Sequence, residues 1–211
     1  MTKLSIKKRF PYKVKIIDNI WIPLSDGCKL AAKIFKPNIP TNKKIPAILE
    51  YIPYRKNDYT SVQDHAVHKY FAGHGYVSVR VDMRGSGESD GLLLDEYLKI
   101  EQKDGFEVVN WLSDQSWCNG SVGMIGYSWG GITSMQVASL NPKGLKAIIP
   151  VTSSVDRYYD DGGYFLGCLV GQTIGWGVEM DSLSTRPPDP DIVGSKWEKV
   201  WKNRLKNTPP F

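Results

Sequence analysis

The chain is poor in the residues that build metal sites and disulfide frames: 211 residues include three cysteines and three histidines. Cys28, Cys118 and Cys168 are far apart and odd in number. That excludes a paired disulfide framework and the close spacing of a structural zinc site, and it suits buried thiols in a reducing compartment. No apolar run is long enough to span a bilayer, so no membrane partner is expected. The opening MTKLSIKKRFPYKVK is basic but lacks the apolar stretch of a signal peptide, which makes a cytoplasmic location the default expectation. Internal repeats, low-complexity segments and metal-ligand clusters are also missing, and no cofactor is expected.

What is present describes an ordinary globular chain with a substantial core. It is 41% hydrophobic and 23% charged, with a net charge of +5. Lysines gather at the start (Lys3, Lys7, Lys8, Lys13, Lys15) and at the end (Lys196, Lys199, Lys202, Lys206). The terminal set alternates with Trp197, Val200, Trp201 and Leu205, the pattern of an amphipathic helix with one solvated face. No recognition motif accompanies these lysines, so nucleic acid is not an expected partner.

Two β-type runs flank Ser25-Asp26-Gly27 and predict a hairpin. Beyond it, apolar strands are expected at Ile45–Pro53, Gly75–Asp82, Ser121–Ser128 and Leu145–Ser153. Helical patterns separate them, around Val62–Phe71, Glu101–Gln115 and Gly130–Pro142. This alternation predicts an α/β protein with a mostly parallel sheet covered by helices. From Asp156 the texture becomes aromatic and glycine-rich. A proline-rich break (TRPPDPDIVG) and a last helix (SKWEKVWKNRLKN) follow. Residues 1–155 are therefore read as the core and 156–211 as the beginning of a helical module.

The chemistry centres on Gly126-Tyr127-Ser128-Trp129-Gly130, between a predicted strand and a predicted helix. A strand that turns sharply into a helix holds its corner residue in a strained conformation and needs small neighbours two positions away. The side chain of Ser128 is then pushed outward, toward the free N–H groups of the helix N-terminus. This is the G-x-S-x-G elbow of α/β-hydrolases, with Ser128 as nucleophile; the plain alternative is a glycine-rich turn with an idle serine. A second motif, VDMRGSGES, follows the Gly75–Val81 strand. Its Gly85-Ser86-Gly87 lacks the third glycine of a dinucleotide loop. Asp82 and Arg84 are expected to brace that loop as an ion pair.

The stretch DGFEVVNWLSDQSWCNGSVGMIGYSWGGITSMQVASLNPKGLKAIIP resembles the core of the X-Pro dipeptidyl-peptidase (S15) and cocaine-esterase-like (CocE/NonD) hydrolases. LSDGCKLAAKIFKP resembles the first hairpin of that family, and the resemblance covers roughly residues 15 to 180. It implies an α/β-hydrolase fold with a helical cap that shapes the pocket, and an acyl-enzyme at Ser128. It also implies an oxyanion hole built from the Trp129 backbone N–H and a tyrosine hydroxyl in a Pro-Tyr context. Pro53-Tyr54 in EYIPYRKND supplies that context, so Tyr54 takes the role, unless it is simply one of the aromatics that pack the loop. Arg55 and Lys56 either contact an anionic part of the substrate or, the preferred reading, solvate the loop. The implied substrate is a small ester or a peptide, and a homo-oligomer remains open for the full-length protein.

One requirement is unmet. The triad order of this fold is Ser, then Asp or Glu, then His. His65, His68 and His74 all precede Ser128. They are expected on a helix flanking the sheet, as surface or helix-end residues. Asp156, Asp160 and Asp161 follow the next strand, either as an acid in a rearranged site or, preferably, as solvating residues at the cap entry. The chain is accordingly read as the N-terminal part of a longer hydrolase. A catalytically inactive fragment or binding module is the alternative.

Overall fold

Alternating apolar residues on either side of Ser25-Asp26-Gly27 fold the chain back on itself. In the computed structural model, which describes residues 9–40 and 42–211, β1 (Val14–Pro23) pairs antiparallel with β2 (Lys29–Pro37), and Trp21 lies opposite Ala31. Gly27 closes the turn at φ +87°, and the Asp26 carboxylate accepts the Cys28 N–H at 3.0 Å. Of the N-terminal lysines, Lys3, Lys7 and Lys8 lie outside the described residues.

The chain then alternates as its pattern predicts. It runs through β3 (Ile45–Ile52), α1 (Ser61–Gly73), β4 (Val77–Asp82), α2 (Lys99–Ser113), β5 (Cys118–Tyr127), α3 (Trp129–Ser139) and β6 (Leu145–Val151). The six strands form one sheet in the order β1-β2-β4-β3-β5-β6. β3, β4, β5 and β6 run parallel, while β2 meets β4 antiparallel. Every residue of β4 is buried, as burial on both faces demands of a central strand. The two faces of β3 show how the sheet is covered. Tyr51 meets α2 at Gly105, where a Cβ would come within 3.1 Å of the ring. Glu50, on the opposite face, meets His68 of α1 at 3.0 Å. β6 is an edge strand that leaves Ile149 and Val151 exposed.

Residues 156–211 open with a feature the sequence pattern did not disclose. Three two-residue strands form an antiparallel meander: β7 (Asp160–Asp161), β8 (Tyr164–Phe165) and β9 (Cys168–Leu169). Gly162-Gly163 and Gly167, the last at φ +81°, make the turns between them. Helices follow: α4 (Gln172–Ser184), the short α5 (Pro190–Val193), a single 3₁₀ turn and α6 (Trp197–Asn207). Met180 and Leu183 of α4 join the main core. On α6 the inward stripe is Trp197, Val200, Trp201 and Arg204, whereas Leu205 is exposed. Lys196, Lys199, Lys202 and Lys206 are exposed, as an amphipathic helix with one solvated face requires, and Arg204 is the buried cation of this helix.

Cys118 alone of the three free thiols is buried; Cys28 is half-buried and Cys168 lies exposed on β9, so the expectation of buried thiols holds for one of them. Among the described residues no helix is long and apolar enough to cross a membrane.

Candidate active site

The corner between β5 and α3 is strained in the way its sequence implies. Ser128 sits at φ +53°, ψ −116°, a conformation that costs a non-glycine residue on the order of 1–3 kcal/mol. It is held by three backbone bonds. Its N–H donates to Val151 O on β6 at 2.8 Å, and its carbonyl accepts from Gly131 N (2.9 Å) and Ile132 N (3.1 Å). The glycines divide the work differently from the symmetrical expectation. A Cβ on Gly126 would lie 2.1 Å from the Gly130 carbonyl carbon, so strand and helix backbones touch there. A Cβ on Gly130 would instead meet the Ile52 side chain of β3 at 3.1 Å, and one on Gly131 would approach Gly126 O at 2.9 Å. Gly126→Ala is therefore expected to destabilise the fold by about 3 kcal/mol, the upper range for forcing atoms into a filled core. An unchanged denaturant midpoint would refute the close approach.

Tyr54 lies just past the end of β3, buried. Its hydroxyl lies beside the Ser128 side chain and the Trp129 backbone N–H. Burial pushes the phenol well above its ordinary pKa, and the neighbouring Ser128 side chain and Trp129 N–H only partly offset that. It stays a neutral donor at any physiological pH. The Trp176 ring of α4 stands edge-on to Tyr54 at 5.9 Å and Tyr59 does the same at 5.9 Å, so the phenol is boxed on two sides.

The loop carrying Tyr54 is fixed by the segment that follows β4. Asp82 accepts the Lys56 backbone N–H at 2.7 Å, the Lys56 ammonium pairs with Glu88, and the Ser86 hydroxyl donates to Pro53 O. Lys56 and Glu88 are both almost fully buried. Lys56 and Arg55 are thus packed rather than solvating the loop; Arg55 binds Asp58 at 2.9 Å and Pro187 O at 3.0 Å. Asp82 and Arg84 do not pair with each other. Arg84 reaches Asp104 (2.7 Å) and Asp26 (2.8 Å), tying α2 to the hairpin turn, whereas Asp82 faces Lys56 and Arg80. Burial raises the Asp82 carboxyl to about 6 against the pull of Arg80 and Lys56. Gly87 is there because a Cβ would fall 2.0 Å from Asp82 Oδ2.

The histidines are engaged elsewhere. His68 is fully buried, not a surface residue: Nδ1 meets Ser78 Oγ at 2.7 Å, Nε2 meets Glu50 at 3.0 Å, and the ring stacks on Phe35. His65 packs edge-on to Phe35, and His74 ends α1 with Nδ1 against Tyr70 O. Asp156 caps the turn at Tyr158 and Tyr159 through their N–H groups, Asp161 pairs with Arg157, and Asp160 is exposed. Two residues escape a reading of the sequence. Arg204 donates to the Gly87 and Ser89 carbonyls at 2.7 Å each; its place on the inward stripe of α6 was the available signal. Glu101 accepts the Trp129 indole N–H at 2.8 Å, and nothing in its sequence context announces that.

Comparison with known proteins gives the corner its context. The model of the X-Pro dipeptidyl-peptidase (S15) family matches residues 26–209. Cocaine esterase from Rhodococcus sp. (strain MB1 Bresler) is 31% identical over 182 residues, covering 82% of this chain and 31% of the esterase. A putative Xaa-Pro dipeptidyl-peptidase from Streptomyces avermitilis is 27% identical over 190 residues, covering 72% of this chain and 28% of its own. A crystal structure of a CocE/NonD family hydrolase from Staphylococcus aureus superposes with a TM-score of 0.62 at 27% identity, covering 93% of this chain and 34% of that one. The chain thus spans about a third of the length of the relatives it matches. The sheet order, the strained serine corner and these matches agree on an α/β-hydrolase fold, and the chain belongs to the X-Pro dipeptidyl-peptidase (S15) family of hydrolases.

Proposed function

We propose that this chain carries the nucleophile and oxyanion hole of a serine hydrolase acting on a small ester or a peptide. The observation that carries the reading is the strained corner that presents Ser128 at the N-terminus of α3, with the buried Tyr54 hydroxyl beside it and the Trp129 N–H. Attack by Ser128 Oγ on a carbonyl carbon forms a C–O bond and leaves the carbonyl oxygen negative. A neutral phenol and a backbone N–H at a helix N-terminus are fixed donors for that charge. The serine proton needs a base. His65, His68 and His74 lie on α1 and in its closing turn, and both ring nitrogens of His68 are occupied. In this reading the base and its carboxylate come from outside the 211 residues, in keeping with the share of the relatives that the chain spans. Residues 156–211 act as the first part of a cap, with Trp176 against Tyr54 as a wall of the acyl site.

The test is a fluorophosphonate probe followed by peptide mapping. Phosphonylation at Ser128 and at no other serine is expected in the full-length protein. Tyr54→Phe removes one oxyanion donor and leaves the ring packing intact. It is expected to slow turnover of p-nitrophenyl acetate by about 10²- to 10³-fold. A rate within a few-fold of the unsubstituted protein would remove Tyr54 from the oxyanion hole. A second reading, a non-catalytic binding module, is favoured by the absence of any histidine after Ser128. It predicts no labelling of Ser128 at all.

A further inference from the structure

Glu101 stands in the first turn of α2, buried, with no solvent role. Three donors converge on its carboxylate. Oε1 accepts the Trp129 indole N–H (2.8 Å) and the Thr133 hydroxyl (2.6 Å), and Oε2 accepts the Tyr97 backbone N–H (3.0 Å). The three come from two separate stretches of chain. Trp129 and Thr133 occupy the first turns of α3, directly after Ser128. Tyr97 belongs to the loop before α2 and is held at φ +59°, a conformation that an aromatic residue adopts only when its surroundings enforce it. The Tyr97 ring packs on the Trp129 indole at 5.1 Å and lies under the Arg157 guanidinium at 4.4 Å.

Burying a carboxyl among these groups is costly. Burial raises its pKa to about 7 although all three donors pull it down. A leucine of similar size would avoid that cost but leave the indole, hydroxyl and amide donors without their acceptor, so the residue is explained by its hydrogen bonds rather than by packing. What the carboxylate adds is direction: it fixes the indole of the residue whose backbone N–H faces the Tyr54 hydroxyl.

We propose that Glu101 is a positioning residue for the oxyanion hole, clamping Trp129 and Thr133 so that the Trp129 N–H points at the reacting carbonyl oxygen. The inference rests on the proposed role of Ser128. Small displacements of such a donor matter, because oxyanion stabilisation depends on donors being held in place before charge develops.

Two variants of the full-length protein test it, with p-nitrophenyl acetate as substrate. Glu101→Gln keeps an oxygen for Trp129 and Thr133 but sets an amide against the Tyr97 N–H. Thr133→Val keeps the volume and removes one donor, and it serves if the first variant folds poorly. Each is expected to lower kcat about ten-fold, a fraction of the 10²- to 10³-fold that losing a whole oxyanion donor costs, with KM within about two-fold. Each is also expected to shift the Trp129 indole ¹H–¹⁵N resonance, since the bond to the carboxylate weakens. A merely structural glutamate would move melting temperature and leave the kcat of the folded protein alone. If turnover depends on Ser128 yet ignores both substitutions, this inference falls and the proposed function stands. If the unsubstituted protein shows no Ser128-dependent turnover, the proposed function falls and takes this inference with it.

Discussion

Ser128→Ala is expected to reduce turnover of an ester probe by about 10⁶-fold, the scale on which loss of the nucleophile is felt in a serine triad. The substitution is clean at this corner. Alanine has the same backbone preferences as serine, so the φ of +53° costs both nearly the same, and the three backbone bonds at residue 128 do not involve the hydroxyl. The variant should therefore unfold at nearly the same denaturant concentration as the parent. Tyr54 and the Trp129 N–H remain in place, so a residual rate above water is expected from the proposed oxyanion hole alone. Initial rates with p-nitrophenyl acetate, measured beside the denaturant midpoint, separate the outcomes. A variant that is folded and still turns over within ten-fold of the parent would mean that Ser128 is not the nucleophile.

The second large effect is on stability. Lys56→Met should destabilise the protein by about 3–5 kcal/mol, the cost of leaving a buried charge without its partner. Lys56 and Glu88 are both nearly inaccessible, and Asp82 lies beside them with its carboxyl already raised to about 6 by burial. Removing the ammonium leaves the buried Glu88 without its partner and takes from Asp82 one of the two cations that hold its carboxyl down, the other being Arg80. The Asp82 carboxyl then lies further above its unfolded value. That part of the penalty is fully present above the folded value and shrinks as the pH falls toward the unfolded one. The deficit should accordingly be smaller at pH 5 than at pH 8. The double variant Lys56→Met with Glu88→Leu should recover most of the loss, because an apolar pair of similar volume replaces the ions. Urea midpoints for the three proteins test this; a single variant as stable as the parent would show that the pair is not buried as described.

The parts of the molecule that the sequence discloses are those written in neighbouring residues. The hairpin follows from alternation about one turn, and β4 follows from its alternating valines, Val77, Val79 and Val81, although its polar residues Ser78, Arg80 and Asp82 are buried as well. The serine corner follows from glycines within three residues of Ser128. What stays hidden is pairing over distance. Arg55 and Lys56 look like solvated loop residues because the partners that bury them, Pro187 and Glu88, stand 132 and 32 positions away. The same holds for Arg84, whose sequence neighbour Asp82 is the obvious partner. The fold turns it instead toward Asp104 on α2. Glu101 is the extreme case. A glutamate in the first turn of a helix normally faces water and favours the helix dipole, so its burial against Trp129 has no local signature.

The contact between Arg204 and the Gly87 carbonyl joins residues 117 positions apart. Burial lowers the guanidinium to about 10, so this cation is held under pressure and bound chiefly by two carbonyls. A ribosome adding about 5–20 residues per second needs on the order of ten seconds to travel from one partner to the other. Through that interval the segment that braces Tyr54 lacks its α6 anchor, while the hairpin and the first strands already have their neighbours. The loop carrying Tyr54 thus gains this anchor late in synthesis, and a chain stalled before α6 would leave the buried Lys56–Glu88 pair less covered.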